Sequence, residues 1–332
     1  MLTIRPIAVA DHAAFVSLHA RCSADAAERL IESSQLAFAG DGVTPRRRVF
    51  VLEDTQHPGA LLGVAALSGS IGLDLPRYSY RSGVVVHASA ELKMFHRADT
   101  LLLANDHTGC AELHVPLMAS DDSTRAPQRL LIDGMLLYVA EQPDHFAPRL
   151  IAELPGLHFD SGGSPFWSAL GRHFYASEVP PNDVFFETPE RSHIARLMPK
   201  HPLYSSFLGA DAQACIGQRA MAARAAHDAL TAQGFRFGGH LNIFDAGPIV
   251  EVDVADLTAL KSSQVMQVRI GEPGPGHSCL VAGVGADRVS ASLVPAALDD
   301  GALTLSATQA QALRVETGQR VRVMAQGSRQ AS

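Results

Sequence analysis

The chain has few cysteines, few aromatic residues, almost no lysine and no excess of positive charge, and most of these shortages close off a class of protein. Four cysteines in 332 residues, Cys22, Cys110, Cys215 and Cys279, stand far apart without a Cys-x-x-Cys pair, which excludes a zinc ribbon and a dense disulfide framework. Thiols so spaced fit a reducing cytosol. Lys and Arg number 27 against 34 acids, for a net charge of -7, so the chain is a poor polyanion binder and nucleic acid is not an expected partner. Lysine occurs only at Lys93, Lys200 and Lys261, a bias that reads as genome base composition.

Long apolar runs are missing too. The longest uncharged stretch, Gln56 to Leu73, contains Pro58 and four glycines and falls short of the ~20 apolar residues of a spanning helix. Asp11 follows soon after the opening Met-Leu-Thr-Ile-Arg-Pro, leaving no apolar signal segment. The expected location is the cytoplasm, with no membrane partner. No Gly-Lys dipeptide occurs, so there is no P-loop; no His-Glu dipeptide and no Gly-x-Ser-x-Gly occur either, which removes the zincin helix and the nucleophile elbow. Gly271-Glu-Pro-Gly-Pro-Gly276 is glycine-rich, but its prolines remove backbone donors, and an interdomain loop is expected there. No metal site is expected.

What is present is an ordinary globular balance, 47% hydrophobic and 18% charged, long enough for two domains and an appendage. Leu2 to Arg5 reads as a strand, Asp11 as a helix N-cap, and Asp25 to Phe38 as a helix. Arg48 to Asp54 and Ala60 to Leu67 flank His57-Pro-Gly59 as a hairpin, with Arg46-Arg47-Arg48 expected as a solvated loop at its entrance. Glu112 to Met118 is strand-like, Gln128 to Glu141 is an apolar helix and Arg149 to Leu154 is a strand. Helices are expected over Ser164 to Phe174, Arg191 to Met198, Asp211 to Gly217 and Ala222 to Gln233, with Gly234 ending the last. Strands are expected over His240 to Phe244 and Ile249 to Val252, a helix after Ser306 and a last strand over Gln319 to Met324. The expected domains are residues 1–148, 149–267 and a small β-rich unit, 268–332.

Five longer strings remain: Val86-His-Ala-Ser-Ala-Glu-Leu92, Asn105-Asp-His-Thr-Gly109, Ser164-Pro-Phe-Trp167, Leu197-Met-Pro-Lys-His-Pro-Leu-Tyr204 and Ile243-Phe-Asp-Ala-Gly-Pro248. In these strings the sequence resembles the arginine N-succinyltransferases of bacterial arginine catabolism, along its whole length. The resemblance implies an α/β (α+β) fold: a mixed sheet of the GCN5-related acyltransferase type flanked by helices, a second related α/β half and a β-rich C-terminal domain. It also implies transfer of succinyl from succinyl-coenzyme A to the α-amine of L-arginine. Succinyl-coenzyme A would be a substrate, and no permanently bound cofactor is implied. Expected partners are an acyl-coenzyme A, arginine or a related amine, and a homologous subunit in a homo- or hetero-oligomer.

The chemistry needs a base for the ammonium, a donor for the oxyanion and a carboxylate for the guanidinium. His107 with the adjacent Asp106 is the expected base, and Asp245 and Glu251 are expected at the substrate. Pro116, Leu117 and Met118, with Arg125 and Arg129, are expected at the coenzyme. Three departures from the family pattern stand out. Where the family carries Val-His-Pro with its catalytic His, this chain has Arg219-Ala220-Met221, and alanine transfers no proton. The phosphate turn is replaced by Asp121 to Gln128, which lacks glycine, and the glycine-rich acceptor loop between the first two helices is absent. These departures support two alternatives: a non-catalytic subunit beside an active homologue, or an acyltransferase with another amine acceptor.

Overall fold

The structure, a computed structural model, describes all residues except 20–21, 41–46, 58, 120–124, 161, 178–184, 186–188, 274–276, 284–288, 300 and 326–332. The first third contains β1 (Leu2–Pro6), α1 (His12–Leu18), α2 (Ala24–Ala39), β2 (Arg47–Asp54), β3 (Leu61–Ser68), β4 (Ser79–Ser89), β5 (Met94–Ala104) and β6 (Ala111–Met118). Helix α3 (Arg125–Glu141) and β7 (Arg149–Glu153) follow. Next come α4 (Pro165–Ala169), α5 (Pro189–Ala195), β8 (Leu203–Tyr204), α6 (Ala210–Cys215), α7 (Arg224–Ala232), β9 (Arg236–Leu241), β10 (Pro248–Asp253) and α8 (Thr258–Ser262). The chain continues through β11 (Gln264–Ile270), β12 (His277–Gly283), β13 (Ala291–Asp299), β14 (Ala302–Leu305), α9 (Ala307–Leu313) and β15 (Arg320–Ala325). The result is the expected mixed α/β architecture.

One sheet threads the molecule in the order β12-β15-β11-β14-β13-β1-β2-β3-β6-β7-β10-β9-β4-β5-β8. Its centre explains the site. Strand β6 runs parallel to β7 but pairs with it only at Ala111↔Leu150 and Glu112↔Ile151. Beyond that point β6 stays with β3 and β7 with β10, so the two strands part. Period-two alternation sends Ala65, Leu67, Ala111, Leu113, Leu150 and Ala152 to one face, where they pack on Leu131, Met135 and Leu136 of α3. At roughly 1.5–3 kcal/mol per buried large aliphatic side chain, this core fixes the register. It also fixes what the other face receives: Glu112, His114, Glu153 and Glu251.

The C-terminal strands close on themselves. β12, β15, β11, β14 and β13 follow in order, and β12 also pairs with β13, making a ring filled by Met266, Val268, Val281, Leu303, Leu305 and Leu313. Closure leaves few free strand edges. Its first strand starts at Gln264, and β13 is joined to β1 at Thr3↔Ser292 and Ile4↔Ala291. Gly271 to Pro273 therefore lie between two strands of the same ring, not between domains as expected; residues 274–276 are outside the described set.

Other local expectations also shift. Arg47 and Arg48 are not in a solvated loop: Arg47 belongs to β2, and Arg48 is 2% exposed, its guanidinium 5.6 Å from the Phe146 ring centre, while Arg46 lies outside the described residues. Consecutive strand residues face opposite sides, so adjacent charges do not have to share one buried face. Asp11 sits at the head of α1 without bonding its backbone; it accepts instead from the N–H of Ala8 and from Arg5 at 2.6 and 2.9 Å. The expected helix from Ser164 is α4 plus a separate 3-10 turn at Gly171–His173. The strand expected at His240 to Phe244 is β9, shifted toward the N-terminus, because Asn242 Oδ1 accepts from Phe244 N–H and turns the chain.

Candidate active site

Where β6 and β7 part, a polar cluster is buried in the sheet face. Glu112, the last β6 residue paired with β7, is 2% exposed. Arg77, from the segment between β3 and β4, donates Nη2 to Glu112 Oε1 and pairs with Glu153 Oε1, both at 2.7 Å. Asn242 donates to Glu153 Oε2 at 3.0 Å. His114, two residues on from Glu112, has Nε2 at 3.0 Å from Ser68 Oγ and 3.6 Å from Glu112 Oε2. That oxygen, Oε2, is buried and has no hydrogen-bond partner. Arg47 donates to the carbonyl of Phe185, and Arg191 lies with its guanidinium 3.8 Å from the Phe244 ring centre.

The electrostatics separate the two carboxyls. Burial pushes Glu112 up to about 7, against the opposing pull of Arg77. Burial also raises Glu153, but Arg77, Arg191 and Asn242 together outweigh it and hold that carboxyl below its usual range. His114 is driven well down by burial and by the nearby Arg47 and Arg77, so it stands as a neutral imidazole. Burial brings Arg191 down to about 10. A carboxyl near 7 beside a neutral imidazole, at the parting of two parallel strands, can take a proton from an amine at neutral pH.

The residues expected from sequence gather elsewhere. His107, in the turn before β6, is 3% exposed and meets Glu251 Oε2 through Nε2 at 3.3 Å. Its ring centre lies 4.3 Å from that of His240. Asp106 points away from its sequence neighbour: it meets His240 Nε2 at 3.2 Å and Arg81 at 3.7 Å. Burial, then His240, lowers the His107 pKa, against the pull of Glu251. A bulge in β9 builds this arrangement, since Ile249 faces His240 while Val250 faces Phe237, leaving Gly238 and Gly239 unpaired and re-aiming His240. A Cβ on Gly238 would lie 2.5 Å from Glu251 Oε1, and Gly239 has φ of +90°.

Asp245 spends both oxygens on backbone, accepting from Gly156 N–H at 2.9 Å and Gly247 N–H at 2.8 Å. Ala220 donates its N–H to the carbonyl of Pro155 at 2.8 Å, just after the end of β7. Of the coenzyme candidates, Pro116 is buried, Leu117 and Met118 are half-buried on β6, and Arg129 is turned to Asp133 at 3.3 Å within α3. Arg125 is in the first turn of α3, its side chain outside the described set, as are residues 121–124. Sequence reasoning missed Arg77, His114, Glu153 and the role of Glu112. Only one signal could have found Glu112 and His114: two ionisable residues at alternate positions of a strand whose other residues are apolar.

Known proteins share this architecture. The profile described as "Arginine N-succinyltransferase beta subunit" matches residues 2–259. Arginine N-succinyltransferases of Citrobacter koseri and Enterobacter sp. are each 34% identical to the chain, over 98% of it and 97% of their own length. The solved structure of arginine/ornithine succinyltransferase subunit AI from Pseudomonas aeruginosa is 30% identical and superposes with a TM-score of 0.84, covering 99% of both chains. The core is of the GCN5-related type. Among the described residues no helix is long and apolar enough to cross a membrane.

Proposed function

This chain belongs to the arginine N-succinyltransferase family, and we propose that it transfers succinyl from succinyl-coenzyme A to the α-amine of L-arginine with Glu112 as the base. One observation carries the assignment: the carboxyl pushed up to about 7 stands where β6 and β7 separate. From Leu113 onward the β6 edge facing β7 has no strand partner among the described residues. An unpaired strand edge suits an amide-bearing chain such as the pantetheine arm, past Pro116, Leu117 and Met118, with Arg125 and Arg129 toward its phosphates. The ammonium gives its proton to Glu112, the free amine attacks the thioester carbonyl, and the C–S bond breaks as the amide forms. The thiolate leaves with the proton that Glu112 holds, and the nitrogen gives up its second proton to water as it becomes an amide. Glu153, which Arg77 keeps charged, favours a cationic acceptor. In this reading residues 1–148 carry the donor, 149–267 complete the acceptor side and 268–332 support the sheet; the reaction is cytoplasmic.

A second reading rests on Ala220, whose methyl occupies the position of the family's proton-transferring histidine: the chain is then a subunit beside an active homologous partner. The solved relative is itself described as a subunit. Thiol release from succinyl-coenzyme A by the isolated chain with L-arginine separates the two. If Glu112 is the base, Glu112→Gln lowers the maximal rate by roughly 10²–10⁴ while coenzyme binding, read by calorimetry, is retained. A rate untouched by that change removes Glu112 from the chemistry. Coenzyme binding without turnover until a homologous chain is added supports the subunit reading.

A further inference from the structure

The three ligand-bearing groups of His107, His240 and Glu251 lie within 4.8 Å of one another, on the same sheet face as the Glu112 cluster but unused by the proposed chemistry. We propose that they form a binding site for one zinc-like divalent cation. Two imidazoles and a carboxylate are a donor set that zinc takes readily, with a fourth position left for water. His240 supplies the independent sign. Its Nε2 faces Asp106 at 3.2 Å, while its Nδ1 is buried with no hydrogen-bond partner. A buried nitrogen with no donor or acceptor to meet is costly. A metal-bound imidazole characteristically gives its other N–H to a carboxylate, the contact Asp106 already makes.

Glu251 is arranged to match. Its Oε1 is the oxygen near Arg149, at 3.7 Å, whereas Oε2 is the one turned to His107. The bulge at Gly238 and Gly239 makes the room: a side chain at position 238 would strike the carboxylate. Zinc bonds of ~2.0–2.2 Å put tetrahedral ligands about 3.4 Å apart, close to the 3.3 Å that already separates His107 Nε2 from Glu251 Oε2. The ion would tie the turn before β6 to the paired strands β9 and β10.

The test uses the full chain, stripped with EDTA and titrated with Zn²⁺ by calorimetry and with Co²⁺ by visible absorption. One equivalent should bind with submicromolar affinity, and Co²⁺ should give the d–d bands of a four-coordinate site. His240→Ala should weaken binding on the order of 100-fold or more, and Asp106→Asn, at a half-exposed position, by about 10-fold. His57→Ala, at an exposed histidine, should change nothing. Absence of a bound equivalent overturns the proposal. So does binding that both His240→Ala and Asp106→Asn leave unchanged, for the ion would then be held by surface histidines.

Discussion

Arg77 holds its Nη2 2.7 Å from Glu112 Oε1, and the same nitrogen is 2.7 Å from Glu153. One side chain neutralises two carboxylates that the sheet forces into one buried space. Removing one partner of a buried pair leaves the other's desolvation uncompensated, typically at 3–5 kcal/mol. Arg77→Met should therefore lower the unfolding free energy by about that much in urea. Arg77→Met combined with Glu112→Gln should recover part of the loss, because one of the two stranded charges is gone.

Glu112 gives stability an unusual pH dependence. Its folded pKa, about 7 through burial, lies above the ~4.3 of an unfolded glutamate. The folded state thus binds the extra proton, and the group's contribution is full below the unfolded pKa and lost as pH rises through the folded one. Asp11 acts oppositely: burial would raise it, but hydrogen bonds from Arg5 and Ala8 prevail and hold it low, so its contribution is lost as the solution is acidified. Melting temperatures from pH 5 to 8 should fall less steeply in Glu112→Gln than in the parent chain. Equal slopes would mean that Glu112 titrates normally.

Arg48 is buried with Nε and Nη1 lacking hydrogen-bond partners. Arg48→Met keeps the volume and removes the unmet donors, so stability should stay within about 1 kcal/mol of the parent or rise. Arg48→Ala should lose about 2 kcal/mol or more, through the cavity beside Phe146. Chemical denaturation of the two variants compares these costs.

Gly171 follows α4 with the Trp167 ring against it; a Cβ there would lie 2.1 Å from the ring. Gly171→Ala should cost about 1–3 kcal/mol through overpacking. An unshifted emission maximum of Trp167, the one tryptophan of the chain, with no loss of melting temperature, would refute this packing account.

The apolar strands and helices were legible because their periodicity is set by burial: β2, β3, α3 and the α9 cap at Ser306 lie close to where the sequence puts them. The hairpin β4–β5 was not. From Gly83 to Ser89 and Met94 to Arg97 nearly every side chain is exposed, Phe95 at 70%, so neither face imposes an alternation to read. Strand β9 was misplaced because the bulge glycines carry no pattern. At the site, His107 and Asp106 adjoin in sequence, but successive residues of the turn face different partners. Arg77, Glu112 and Glu153 come from three segments joined only by the sheet, and no local spacing announces them.

The bond between β1 and β13 has a consequence for how the chain reaches its fold. Thr3 pairs with Ser292 and Ile4 with Ala291, so one edge of the first strand waits for nearly the last strands to be made. During synthesis β1 can join β2 early, yet its far side stays bare through the making of both α/β halves. A hydrophobic edge held open that long invites pairing with other nascent chains. Contacts of such sequence separation also form slowly. Refolding from denaturant should thus end in a late, concentration-sensitive phase in which the C-terminal ring docks on β1.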